Sequence, residues 1–271
     1  MMSAGSLGGL FLLLAAQALP SSAPGDVPAS AATHFQFAPP VDRPMTYRVT
    51  TRRIGREGSL VNFSLTYAMQ WQRVGRGYRL EAVLQRIDSD ARPEVTRALS
   101  LMLEPLVGEA MAYLVAPDGS RIDLVDPDAL WERVTARIEA VGAKAGRPEA
   151  RQLAQLIAAL PAAERDRLAT ADIRALVAPA NDAIPLSAQA GGASVSMRHD
   201  GALQTIAKVE RDAAPVAGAA RPLEIDNLWT VDTATGLVMR EQRQSWMVEA
   251  EGDGRALVEE RVRALEIAPQ G

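Results

Sequence analysis

Cysteine is absent from all 271 residues. That excludes disulfides, a thiolate nucleophile, a cysteine-held metal and lipid attachment at a leader cysteine. Lysine is nearly absent: Lys144 and Lys208 are the two lysines among 29 cationic residues, so lysine chemistry has little scope. The arginine bias has the stamp of a GC-rich bacterial genome. Histidine occurs only at His34 and His199. Two histidines so far apart, with no carboxylate cluster beside them, point to no metal site, and no cofactor motif is present. An excess of positive charge is also missing. The net charge of −4 argues against nucleic acid as a partner, because phosphate neutralisation needs a basic field. Beyond the N-terminus no apolar run approaches the ~20 residues of a membrane span.

What is there begins with a leader. Leu7 to Ala16 is an apolar run, and Ala16-Gln17-Ala18 has the small-x-small form of a cleavage site. Residues 1–18 therefore read as a signal peptide. The mature chain is expected in the periplasm or outside the cell, without a transmembrane anchor. Residues 19–43 are rich in Pro and Ala and read as a disordered lead-in. Residues 44–267 form a single expected α+β domain.

The strongest local signal is Val61-Asn62-Phe63-Ser64-Leu65-Thr66-Tyr67-Ala68-Met69-Gln70-Trp71. Every odd position is large and apolar, and every even position is small or polar. Alternation of period two gives a strand with one dry face, and this one is about twice the usual length of 5–6 residues. Met45, Tyr47 and Val49 share a face before it. Tyr78, Leu80, Ala82 and Leu84 alternate after it, across the Val74-Gly75-Arg76-Gly77 turn. Pro93 opens a short helix that Pro105 should end. Met111–Val115 and Ile122–Val125 form a hairpin around Pro117-Asp118-Gly119.

Residues 126–178 read as a helical insert. Asp126-Pro127 starts the first helix, with the apolar stripe Leu130, Trp131, Val134, Ile138 and Val141. Pro148 and Pro161 open two more. Strands resume after Gly191-Gly192. At Asp200-Gly201 a three-residue loop, pairing Val195 with Ala207 and Met197 with Thr205, matches the faces. Leu223 to Val231, Leu237 to Val248 and Arg255 to Ile267 complete the set, with strand preferred over helix for the last. The expected architecture is a large curved antiparallel sheet of about eight to nine strands, an incomplete barrel with a three-helix insert packed on its concave face.

The opening Pro44-Met45-Thr46-Tyr47-Arg48-Val49 and the hairpin Trp229-Thr230-Val231-Asp232-Thr233-Ala234-Thr235-Gly236-Leu237-Val238 resemble secreted bacterial antiparallel-sheet envelope proteins. Among these are periplasmic lipoprotein carriers of the Lol type. The resemblance implies an unclosed β-barrel around an apolar cavity, with helices as a lid.

Phe63, Tyr67, Met69 and Trp71, with Trp131 and Trp229, are the candidate ligand-binding residues, lining a sheet/helix cavity for a lipid or a lipidated protein. The structural alternative is that the strand residues pack on the stripe of Leu130, Trp131, Val134 and Ile138. The matching functional alternative is an envelope assembly factor that binds another protein and has a filled core. No catalytic residue is assigned. Ser196, His199 and Asp200 lack a nucleophile-elbow pattern, and Glu259-Glu260 reads as a solvated strand edge. Arg52-Arg53 with Arg56 reads as a solvated basic strand end.

Overall fold

The computed structural model describes residues 35–54, 60–93, 96, 100, 103–145, 148–181, 184, 194–216, 219–248 and 254–269. The leader and the lead-in up to residue 34 lie outside them, as does Arg56. Ten strands form one antiparallel sheet: β1 (Pro44–Ile54), β2 (Leu60–Val74), β3 (Gly77–Ser89), β4 (Ala110–Val115), β5 (Ile122–Leu124), β6 (Ser194–Asp200), β7 (Leu203–Val216), β8 (Ala219–Asp232), β9 (Val238–Val248) and β10 (Arg255–Ile267). Three helices, α1 (Pro127–Ala145), α2 (Pro148–Ala159) and α3 (Ala162–Leu176), stand between β5 and β6.

The spatial order is β5-β4-β3-β2-β1-β10-β9-β8-β7-β6. Each half of the chain is a meander of hairpins. The two halves join where the first and last strands pair, from Met45 opposite Ile267 to Arg53 opposite Glu259. The helices connect the two outer strands, β5 and β6, which do not pair with each other, so the sheet stays open. Bulges at Thr66/Tyr67, Thr230/Val231 and Leu257/Glu259 bend the long strands and curve the sheet.

Alternation decides the faces as the sequence predicts. Met45, Tyr47 and Val49 are buried between the exposed Pro44, Thr46 and Arg48. Trp71, Leu80 and Leu84 have no exposed surface, and Tyr113, Ile122 and Leu124 lie buried further across the same face. The opposite face is polar. There Glu260 accepts hydrogen bonds from Arg52, Gln242 and Gln244, although it is itself buried.

The helices divide their work. In α1, Leu130, Val134 and Ile138 form a fully buried stripe at four-residue spacing. Arg133 and Arg137 grip the buried Glu109, at 3.2 and 2.6 Å, and so hold α1 to the segment around the 3-10 turn Glu104–Leu106. It is α3 that lies on the sheet. Tyr47 donates to the Asp172 carbonyl at 3.2 Å and Tyr113 to the Ala169 carbonyl at 3.0 Å.

Four sequence expectations change. First, the lead-in does not stay loose to residue 43. Phe35 and Phe37 are buried, and the Phe37 ring packs edge-on against Trp71 and Tyr78 at 5.7 and 5.3 Å. The Ala38 amide donates to the Thr235 carbonyl at 2.9 Å, and the Asp42 amide to that of Trp71 at 2.8 Å. Apolar aromatic side chains outweighed the surrounding Pro and Ala.

Second, the β6–β7 turn is Gly201-Ala202. Met197 faces Ile206 and Val195 faces Lys208, one residue away from the expected register. The left-handed Gly201 (φ 59°) suits the first position of a tight two-residue turn, a choice the side-chain pattern on an exposed edge strand does not dictate. Third, Glu259 and Glu260 sit on β10 in mid-sheet, between β1 and β9, not on an edge. Fourth, the sheet has ten strands, because both short β5 and the exposed β6 belong to it. For the Pro93 helix, residues 93, 96, 100 and 103 are helical and the rest lie outside the described residues.

Candidate ligand-binding face

Cross-strand pairing lays out the concave face as transverse rows, since directly opposed residues share a face. One row reads Ile87, Leu65, Val49, Arg263, Glu241, Trp229, Ile206. The next reads Ser89, Phe63, Thr51, Arg261, Arg243, Asn227, Lys208. Beyond it come Val61, Arg53, Glu259, Ser245, Ile225 and Glu210.

The first row is anchored by α3. The Arg263 guanidinium lies 2.9 Å from Asp172 on the helix and 2.9 Å from Glu241 on β9. Burial, reinforced by the Asp172 charge, pushes the Tyr47, Tyr67 and Tyr113 hydroxyls above the usual tyrosine range. On this side the face is filled. In the last two rows burial is incomplete: Val61, Phe63, Arg243, Arg261 and Ser245 are half-buried, as is Leu65 in the first row, while Thr51, Asn227 and Ile225 among them are buried.

The candidate residues therefore separate. Met69 and Trp71 are buried, Trp71 against Phe37 and Tyr78, and they belong to the filled part. Trp229 is buried in a cluster with Phe35, Ala178, Ile184, Ile206, Val231 and Val238. Trp131 lines an open groove of about 420 Å³ whose walls, Asp128, Glu132, Ile157 and Arg165 among them, are all helical. Tyr67 stands beside the buried Tyr47 toward the filled part, and Phe63 is left on the half-open part, where the structure adds Val61 and Leu65.

The charged residues of these rows are not legible as a site in sequence. Arg52 and Arg53, adjacent in the chain, point to opposite faces. Arg52 pairs with Glu260 outside, and Arg53 with Glu259 inside at 2.5 Å. Glu259 also holds Arg261 at 3.4 Å. Burial, and the neighbouring Arg263 charge, hold the Arg261 guanidinium below its usual value. Arg243, opposite Arg261, has no ion-pair partner among the described residues. The alternation of arginine with small apolar residues in Arg261-Val262-Arg263-Ala264 is the one available signal, and it shows only that both arginines share a face.

Ser196 and Asp200 alternate to the face opposite His199 on the exposed strand β6, so the three cannot converge. No group of three potential metal ligands occurs among the described residues. No helix among them is long and apolar enough to cross a membrane.

No protein-family model and no curated protein matches the chain. Among solved structures, it is similar to a lipovitellin structure described for its lipid–protein interactions, at 9% identity and a TM-score of 0.38, covering 84% of this chain. The chain spans 25% of that protein's length. It is also similar to a DUF1329 family protein from Desulfovibrio piger, at 10% identity and TM-score 0.21, covering 83% of this chain and 85% of that one. A third is a domain from Vibrio parahaemolyticus assigned to outer membrane lipoprotein sorting, at 6% identity and TM-score 0.18, with 83% and 85% covered.

Proposed function

We propose that this protein binds an apolar ligand, a lipid or the lipid portion of a lipidated protein, on the open half of its concave sheet face in the bacterial envelope. One observation carries the reading: at the N-terminal end of β2, Val61, Phe63 and Leu65 on the inward face are only half-buried, whereas Met69 and Trp71 further along the same face are buried. A curved sheet that leaves one apolar end of its inner face partly uncovered has room for a ligand where a simple core would place side chains. The apolar leader and its small-x-small site support export.

The test is native mass spectrometry of the protein from a periplasmic extract, followed by solvent extraction. An apolar mass released on denaturation is the expected result. Phe63→Asp should abolish that mass while leaving the unfolding midpoint nearly unchanged, since the site is half-solvated. A bare protein mass, together with no binding of an added neutral apolar fluorophore, would defeat the reading. A second reading, capture of a protein partner by strand addition, is favoured by β6, an edge strand whose residues are exposed except Val195. Cross-linking at Arg198 would then trap a protein instead of a lipid.

A further inference from the structure

Arg261 and Arg243 stand directly opposite each other on β10 and β9, an arrangement of like charges that weakens a sheet unless something offsets it. Glu259 is already shared between Arg53 and Arg261, and Arg243 has no ionic partner among the described residues. The Nε of Arg53 is buried and finds no acceptor among them. Taken with the next row, the four arginines 53, 243, 261 and 263 face three carboxylates, Glu259, Glu241 and Asp172. Among the described residues of these rows one positive charge is left over, at the half-buried Arg243 and Arg261.

The apolar strip begins two strands away on β2, with the buried Thr51 between. Thr51 pairs with Phe63 on one side and with Arg261 on the other, so Phe63 and Arg261 are two strand spacings apart, about 10 Å. The strip is narrow at this row. Phe63 is flanked by Thr51 and Ser89, both polar. A narrow apolar strip about 10 Å from a cationic charge unbalanced among the described residues fits a single-chain amphiphile with a monoanionic head.

Resting on the ligand-binding reading above, we propose that the ligand is a long-chain fatty acid, its carboxylate received by Arg261 and Arg243 and its chain laid along Phe63, Leu65 and Val61. A carboxylate fits paired guanidinium donors geometrically, and it would relieve the repulsion between the two arginines.

The test compares cis-parinaric acid with its methyl ester by fluorescence titration, on the full chain and on Arg243→Gln and Arg261→Gln. Charge-assisted hydrogen bonds of ordinary strength predict that the acid binds at least about tenfold more tightly than the ester. Arg243→Gln should weaken acid binding far more than ester binding and so narrow that preference. Because Arg243 supports no ion pair among the described residues, this variant should unfold at the same urea concentration as the parent or a higher one. Equal binding of acid and ester, or an acid affinity unchanged in both variants, overturns the fatty-acid assignment and leaves the apolar-ligand reading standing. Failure of both probes to bind the parent protein overturns both.

Discussion

Arg263 on β10 ties α3 to the sheet, with one guanidinium 2.9 Å from Asp172 on the helix and 2.9 Å from Glu241 on the neighbouring strand. The Arg263 and Glu241 side chains are only 9% and 10% exposed, so each is dry enough to depend on the other. Arg263→Met should therefore destabilise the protein by about 3–5 kcal/mol, because it strands a buried carboxylate. Asp172→Asn should cost less, since Asp172 is 31% exposed and Arg263 keeps Glu241. Urea unfolding of the two variants measures the difference. Equal small losses would mean that the pair does not hold the helix down.

The tyrosines under α3 make an alkaline prediction. The folded state raises the Tyr47, Tyr67 and Tyr113 hydroxyls through burial, so it binds their protons more tightly than the unfolded chain does. Below the ordinary tyrosine value of about 10, both states are protonated and stability does not depend on these groups. Above it the unfolded tyrosines ionise first, and stability should fall by about 1.4 kcal/mol per pH unit for each. Phenolate absorbance of these three should appear only with loss of the far-ultraviolet circular dichroism of the fold. Ionisation at about pH 10 in the intact protein would show them to be solvated.

Two turn glycines separate backbone strain from packing. Gly201 has φ 59° and open space where a Cβ would stand, whereas Gly236 has φ 70° and a Cβ there would lie 2.7 Å from the Gln36 carbonyl oxygen. Gly201→Ala should cost about 1–2 kcal/mol, the left-handed penalty alone. Gly236→Ala should cost clearly more, because the Phe35–Ala38 segment must also move. Equal losses in chemical denaturation would show that this segment does not press on the β8–β9 turn.

Phe37 should matter as a core residue. Phe37→Ala removes the ring wedged against Trp71 and Tyr78 and should cost about 3–5 kcal/mol. A truncation through residue 40 should lower the melting temperature by at least as much as this substitution. A truncated protein that melts like the parent would show that the segment is dispensable to the fold.

Trp71→Asp places a charge at a position with no solvent exposure, next to Leu80 and Tyr78. The variant should fail to fold, with soluble yield and cooperative unfolding both lost. A normal melting curve would contradict the dry face of β2.

The sequence by itself determined the long strands and the side of each that faces inward, and most of the turns, though not the β6–β7 turn, whose register differs by one residue. Those follow from period-two alternation, as in Val61 to Trp71, and from local breakers such as Pro127, Pro148, Pro161 and Gly236. Both are short-range properties of the chain. It also carried the helical insert and the open α+β sheet. It could not carry the pairing of β1 with β10, which brings Arg53 to Glu259 across about 200 residues, nor the opposition of Arg261 and Arg243. Nor could it tell that Met69, Trp71 and Trp229 would be enclosed while Phe63 and Leu65, on the same apolar pattern, would be left half open. Alternation fixes which face a residue occupies. Only the docking of α3 and of the Phe37 segment onto that face decides which part of it is filled.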